Sequence, residues 1–149
     1  MYHVGMRIRT RRTIQVDTKL LNVDFEIASK HDLVPLVTAL GTKVLVLWVA
    51  RHKGLYRAHL EVADPQGRNV RQKILRFAKL LKQLPPSVFR LWKTAKKRDF
   101  AIGIVAGLKA PTTDFLLDED VLKETVRLGA RVVICVYPPV SNVAEAVNE

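Results

Sequence analysis

The stretch from residue 67 to residue 98 has the strongest helical pattern of the chain and the highest concentration of positive charge. Apolar residues recur there at three- and four-residue spacing and fall within one arc of an α-helix: Val70, Ile74, Phe77, Ala78, Leu81 and Leu84. Polar and basic residues fall within the opposite arc: Arg68, Gln72, Lys73, Arg76, Lys79 and Gln83. This pattern predicts an amphipathic helix that packs against a core and turns a basic face outward.

Two prolines divide this stretch into two helices. Pro85 and Pro86 cannot donate backbone hydrogen bonds, so the first helix must end before them. Ser87 is suited to cap a second helix from Val88 to about Lys96, which ends in a cluster of cations.

The remaining chain alternates strands and helices. Period-two patterns predict strands at 20–28, 43–50, 55–63, 100–107 and 131–137, and helices are predicted at 33–40 and 118–129. Strand 43–50 is apolar on both alternations, so both of its faces should be covered. The order predicts an α+β fold: a ferredoxin-like βαββαβ layer with an appended helix and strand, and helices on one face of a mostly antiparallel sheet.

The chain of 149 residues is long enough for one domain with its own core. Residues 1–15 form a predicted basic N-terminal arm or edge segment, and residues 16–149 form a predicted single α+β domain. One cysteine cannot make an internal disulfide, and the first residues lack the pattern of a secretory signal, so we expect a cytoplasmic protein. The apolar run 44–50 is too short to span a membrane.

A formal charge of +11 favours an acidic partner, whether a protein, a nucleic acid or an anionic surface. The predicted contacts are the cations of the helical stretch: Arg68, Lys73, Arg76, Lys79, Lys96, Lys97 and Arg98. Basic residues on a solvated helix face also simply keep a small protein soluble. No recognised nucleic-acid motif accompanies this charge.

The residues of several elements resemble a known group of proteins. The matching stretches are 90–92, 98–104, 128–130 and 136–138, together with Leu33, Leu36, Leu40 and Gly41 and the hairpin that follows them. Over about 25–139 they resemble small bacterial α+β proteins of unknown function, some of them grouped loosely with toxin-immunity proteins. The resemblance implies a binding or accessory role and brings no functional residues with it.

No residue pattern predicts a cofactor, a metal ion or a nucleophile. Gly103 and Gly107 lie in a strand and its exit, where a close backbone approach or a bulge explains them better than a phosphate loop. Cys135 is expected to be a small apolar strand residue, and the four histidines have no metal-ligand spacing. Trp48 and Trp92 are spaced like core residues.

The predicted topology brings together one polar cluster. The first and third strands are neighbours in a ferredoxin-like sheet, so five polar residues should meet on the face away from the helices: Asp24, Glu26, Arg57, His59 and Glu61. They could carry out acid–base chemistry or hold a polar ligand. The favoured interpretation is a cross-strand charge ladder in which the groups satisfy one another.

The same sheet face is predicted to be apolar at its two sides, at Leu45, Leu47, Val49, Val105, Val133, Cys135 and Tyr137. Helices on one face would leave these residues in water, so we expect a homodimer through the other face. The alternative is that the loop 108–117 folds across this face and keeps the protein monomeric.

These patterns predict a non-enzymatic accessory protein that presents a basic helical face to an acidic macromolecule, preferably a protein. The first alternative is a nucleic-acid-binding protein that uses the same helix. The second is a small-ligand binder or an enzyme at the polar cluster.

Overall fold

The computed structural model describes residues 17–63, 69–109 and 112–139. In chain order the elements are β1 (Lys19–Ser29), α1 (Val34–Leu40), a 3-10 turn (Gly41–Lys43), β2 (Val44–His52), β3 (Leu55–Val62), α2 (Val70–Lys82), α3 (Pro86–Lys93), β4 (Lys97–Val105), α4 (Glu119–Arg127) and β5 (Arg131–Tyr137). The predicted arm at residues 1–15 and the predicted contact Arg68 lie outside the described residues.

The strands form one mixed sheet in the order β2-β3-β1-β4-β5. The β2–β3, β3–β1 and β1–β4 pairs are antiparallel, and β4–β5 is parallel. The prediction of an α+β fold with a mostly antiparallel sheet is confirmed. The five-strand order differs from that of a four-stranded ferredoxin-like sheet, because α4 returns the chain so that β5 lies parallel to β4 at the edge.

The core lies between the sheet and the helices. Phe77 of α2 stacks on Phe25 of β1 with ring centroids 3.8 Å apart, and Phe100 of β4 meets both rings edge-on. Trp92 of α3 is buried, and its indole Nε1 donates a 3.0 Å hydrogen bond to the Leu128 carbonyl. The predicted amphipathic character of α2 is confirmed, since five of its six predicted core residues are buried: Val70, Ile74, Phe77, Ala78 and Leu81. Leu84 follows the helix and packs against the core, partly buried.

The helix starts show local capping chemistry. Asn69 and Gln72 form a reciprocal capping box at the start of α2, with hydrogen bonds of 2.9 and 3.1 Å. Asp118 accepts a 3.1 Å hydrogen bond from the Val121 amide, as the acidic start predicted for α4 requires. The predicted bounds of α3 are wrong: it begins at Pro86, which suits a first turn, and ends at Lys93.

The predicted covering of β2 on both faces is wrong. Five successive large apolar residues, 45–49, are 37–50% exposed, because β2 lies at an edge of the sheet. A β-bulge at Leu47 also reverses the side-chain alternation. Trp48 therefore points to the face opposite the helices and is 40% exposed, so its predicted core position is wrong. Val49 pairs with Ala58 and turns to the helix side, where it was not expected.

Two further expectations about burial differ from the structure. Ile134 lies on the helix side of β5 but is 59% exposed at that sheet edge, and Val105 on the opposite face is only 6% exposed. In the described part of loop 108–117, Phe115 and Leu117 pack against the core. These two residues therefore lie on the helix side of the sheet and do not cover the opposite face. None of the described helices is long and apolar enough to cross a membrane.

Candidate functional site

A row of side chains crosses the open face, as we call the sheet face opposite the helices. The strand pairings align Trp48, His59, Glu26, Asp99 and Arg131 on β2, β3, β1, β4 and β5. We call these five residues the polar row. Glu26 and His59 are direct cross-strand partners, as the predicted neighbourhood of the first and third strands requires.

Ion pairs connect three of the five residues of the polar row, Glu26, Asp99 and Arg131, with the help of Lys97. Arg131 donates to both carboxylate oxygens of Asp99 at 2.8 and 3.0 Å, and Lys97 Nζ lies 2.9 Å from Glu26 Oε2 and 3.6 Å from Asp99 Oδ2. Asp99 is only 2% exposed, so these cations offset the cost of burying its carboxylate group. The hydrogen bond to Asp99 raises the pKa of Arg131. Together with Lys97, these three residues form a charge ladder in which each charge has an opposite charge beside it.

The carboxyl groups of Asp24 and Glu61 make no ion pair with a cation among the described residues. Burial raises the pKa of Asp24 to about 7, helped by a hydrogen bond to Glu61 and by the negative charges of Glu61 and Glu26, while the positive charge of Lys73 lowers it. A hydrogen bond between two carboxyl groups requires that one of them carries a proton. Asp24 Oδ1 is buried without a hydrogen-bond partner among the described residues. Chemically, this pair can hold and release one proton near neutral pH.

An aromatic group lies at the β2 end of the polar row. The Trp48 ring meets His59 edge-on at 5.2 Å between centroids and His52 at 6.4 Å. The bulge at Leu47 positions this contact, because without it Trp48 would point to the helix side. Arg57, the remaining predicted cluster residue, donates to the His52 carbonyl at 3.3 Å and does not join the carboxylates.

Near the start of β1, the side chain of Asn22 closely approaches the backbone of Gly103 on β4. Gly103 pairs with Asn22 and Cys135, and a Cβ atom at position 103 would overlap Asn22 Oδ1 and lie 3.5 Å from the Tyr137 ring. The expected close backbone approach at Gly103 is confirmed. Within the described ranges, no group of three or more His, Cys, Asp or Glu residues could hold a metal ion.

The basic face of α2 is partly neutralised by α4. Arg71 pairs with Asp118 and Asp120, and Lys82 lies 2.8 Å from Glu124. These cations hold the pKa values of Asp118 and Glu124 below their usual range. Between the two pairs, Lys73, Arg76 and Lys79 make no ion pair with any residue that the structure describes. Arg76 and Lys79 line a shallow groove with Leu75. The unneutralised charge of α2 is therefore concentrated at its middle.

The other predicted contacts are dispersed. Lys97 belongs to β4 and lies on the open face in the ladder described above. Arg98 faces the helix side, where its Nη1 donates to the Lys93 carbonyl at 2.9 Å. Lys96 is exposed, and its amide donates to the Ala28 carbonyl at 2.7 Å. The structure thus does not gather residues 96–98 into one surface with α2.

Comparison with protein-family models, curated proteins and solved structures finds no match to this chain. The polar row, the carboxyl pair and the α2 face must therefore be interpreted from their own chemistry. Asp99 and Arg131 were not among the predicted site residues. The alternation of Lys97, Asp99 and Ala101 along β4 places Asp99 on the open face and could have predicted its role. The prediction missed it because residues 96–98 were taken as the end of a helix, whereas β4 begins at Lys97.

Proposed function

We propose that this protein is a non-enzymatic accessory protein that binds an acidic protein partner through Arg76 and Lys79 of α2. The observation that supports this most directly is the contrast along one helix. Arg71 and Lys82 have carboxylate partners on α4, whereas Arg76 and Lys79 between them have none among the described residues. Lys79 is exposed and Arg76 is half-buried. Together with the partly buried Leu75 they offer both charge and apolar contact to a carboxylate-bearing surface.

A compact acidic protein fits this surface better than a nucleic acid does. The carboxylates of α4 lie directly beside α2, at Asp118, Asp120 and Glu124. A phosphate backbone extending past the middle of α2 would meet this negative charge, whereas a small acidic patch would not. The resemblance to proteins grouped with toxin-immunity proteins also supports a protein partner and a bacterial source.

Two labelled probes test the proposal by fluorescence anisotropy: polyglutamate of about 20 residues and a DNA duplex of similar length, each titrated between about 50 and 200 mM salt. Arg76→Glu combined with Lys79→Glu should weaken polyglutamate binding at least about tenfold. The matched control is Lys30→Glu combined with Lys109→Glu, which removes the same charge from exposed positions elsewhere. Equal losses in both double variants would show that only net charge matters, and the proposal would fail.

The nucleic-acid alternative predicts a different result in the same experiment. Several phosphate contacts would make duplex binding tight at low salt and steeply weaker as salt rises. Duplex binding that exceeds polyglutamate binding and is lost in the α2 variant would replace the protein partner with a nucleic acid.

We also propose three finer points about the whole molecule. Residues 19–105 form a ferredoxin-like unit, which the position of β1 between β3 and β4 supports. A cytoplasmic location is supported by the single cysteine. A homodimer through the open face is supported by exposed apolar side chains at both of its sides, Leu45 and Trp48 on β2 and Tyr137 on β5.

A further inference from the structure

The outer edge of β2 is an apolar strand edge at one side of the sheet. None of the other described strands pairs with that side of β2, and the side chains of residues 45–49 are exposed above and below it. Long apolar strand edges of this kind readily accept a further strand by main-chain hydrogen bonding.

Basic residues flank this edge at both ends. Lys43 precedes β2 and is exposed, with its carbonyl fixed by a 3.0 Å hydrogen bond from the Ala63 amide. Arg51 lies near the other end, exposed, with its guanidinium 5.3 Å from the centre of the Tyr56 ring, and Lys53 follows in the turn. These cations make no ion pair with any residue in the described ranges.

The positive charges at the two ends of β2 indicate which kind of strand can pair with its outer edge. Two copies of β2 paired antiparallel over its full length would place Lys43 of each near Arg51 or Lys53 of the other, and parallel pairing in register would place identical cations side by side. Like charges directly opposite each other destabilise strand pairs, so a second copy is disfavoured. An apolar segment with acidic residues at its ends would meet opposite charge at both.

We propose that the β2 edge binds an extended segment of a protein partner that has an apolar centre and carboxylates at its ends. The segment pairs along β2, places apolar side chains against Leu45 and Trp48 on the open face and Val46 and Val49 on the helix side, and places its carboxylates beside Lys43 and Arg51. The bulge at Leu47 divides the edge into two short pairing stretches, so the segment is short. This surface is separate from Arg76 and Lys79.

Labelled peptides test this directly. The first probe has the centre Val-Thr-Val-Thr-Val with two glutamates at each end, and the control peptide has lysines in their place. The glutamate peptide should bind saturably and at least about tenfold more tightly than the lysine peptide. N-methylation of alternate central amides, which removes main-chain donors, should abolish binding. Amide exchange within Val44–His52 should slow when the glutamate peptide is bound.

A protein variant with reversed charges at the two ends of β2 provides the decisive test. Lys43→Glu combined with Arg51→Glu changes exposed side chains only, and it should reverse the preference in favour of the lysine peptide. The α2 variant Arg76→Glu with Lys79→Glu is the matched control and should keep the preference for the glutamate peptide, which separates this proposal from the α2 proposal. An unchanged preference in the charge-swapped protein overturns the inference. So does protection of the Val44–His52 amides by the protein's own self-association without peptide.

Discussion

The Asp24 carboxyl group retains a proton at pH values where an ordinary aspartate has lost it. Its pKa rises from 3.8 to about 7, chiefly because burial disfavours the charged form. The folded state therefore binds more protons at Asp24 than the unfolded state does between about pH 4 and 7. The stability that this group contributes is fully present below pH 4 and is lost as pH rises through 7.

Asp24→Asn should stabilise the protein at pH 8 and leave it nearly unchanged at pH 4. The asparagine amide resembles the protonated acid and can donate to Glu61 without a proton being taken up. The gain at pH 8 should be about 1–2 kcal/mol, below the unscreened value because the group is partly in water. Urea denaturation at both pH values measures it, with the exposed Asp114→Asn as control. A variant that is no more stable than the wild type at pH 8 would refute the raised pKa.

Arg131 should be needed for folding stability, although its side chain lies at the surface. It donates two hydrogen bonds to Asp99, which is almost fully buried and has Lys97 as its one other cation among the described residues. Arg131→Met should lower the urea midpoint more than Arg127→Met, which removes an exposed helix pair with Glu124. Adding Asp99→Asn should recover part of the loss. Equal midpoints for the two single variants would mean that the Asp99–Arg131 pair stabilises the fold no more than the exposed Arg127–Glu124 pair does.

At the scale of single residues, the sequence predicted the neighbours but not their electrostatics. The alternation in β1 and β3 was enough to bring Glu26 beside His59. It could not show that Lys97 and Arg131 would pair with Glu26 and Asp99 and leave Asp24 beside Glu61, because these two cations come from β4 and β5. Charge balance on a sheet depends on the registers of all the strands together.

At the scale of the elements, α2 is anchored by Phe77. Its ring stacks on Phe25 and meets Trp92 at 5.7 Å between centroids. Phe77→Ala should cost about 3–5 kcal/mol, since a buried aromatic ring leaves a cavity that its neighbours cannot close. Leu75→Ala on the same helix is the control and should cost much less, because Leu75 is only partly buried. A Phe77→Ala cost below about 1 kcal/mol would show that α2 is not held on the sheet by this contact.

The helices were easier to predict than the edge strand. The helix period of α2 and the acidic start of α4 depend on local sequence, and both are confirmed. A β-bulge depends on how β2 fits the register of β3, so the reversal at Leu47 could not be read from the alternation of apolar residues. Apolar residues on both alternations indicate a covered strand in a sheet interior, but β2 lies at an edge, where the same pattern provides two exposed apolar faces.

At the scale of the whole molecule, the polar row bears on the proposed dimer. A two-fold axis parallel to β1, between two open faces about 10 Å apart, would bring Trp48 over Arg131 of the partner subunit and His59 over Asp99 of the partner subunit. Four of the five row positions are complementary in this arrangement, with an aromatic ring facing a guanidinium and a histidine facing a carboxylate. The central Glu26 would face Glu26 of the partner subunit, with the neighbouring Lys97 of its own subunit to offset the like charge. Apolar contacts at the β2 and β5 sides would enclose these polar contacts.

Sedimentation equilibrium at micromolar concentration should give a mass near twice the 16.9 kDa of the chain. Tyr137→Glu, on the open face, should shift the equilibrium to the monomer, because it places a carboxylate in the enclosed apolar margin. Leu122→Glu is a matched control, since Leu122 and Tyr137 are both 48% exposed and Leu122 lies on α4. The control should leave the mass unchanged. A mass of 16.9 kDa for the wild type at every concentration would end the dimer proposal, and equal dissociation by both variants would locate the contact away from the open face.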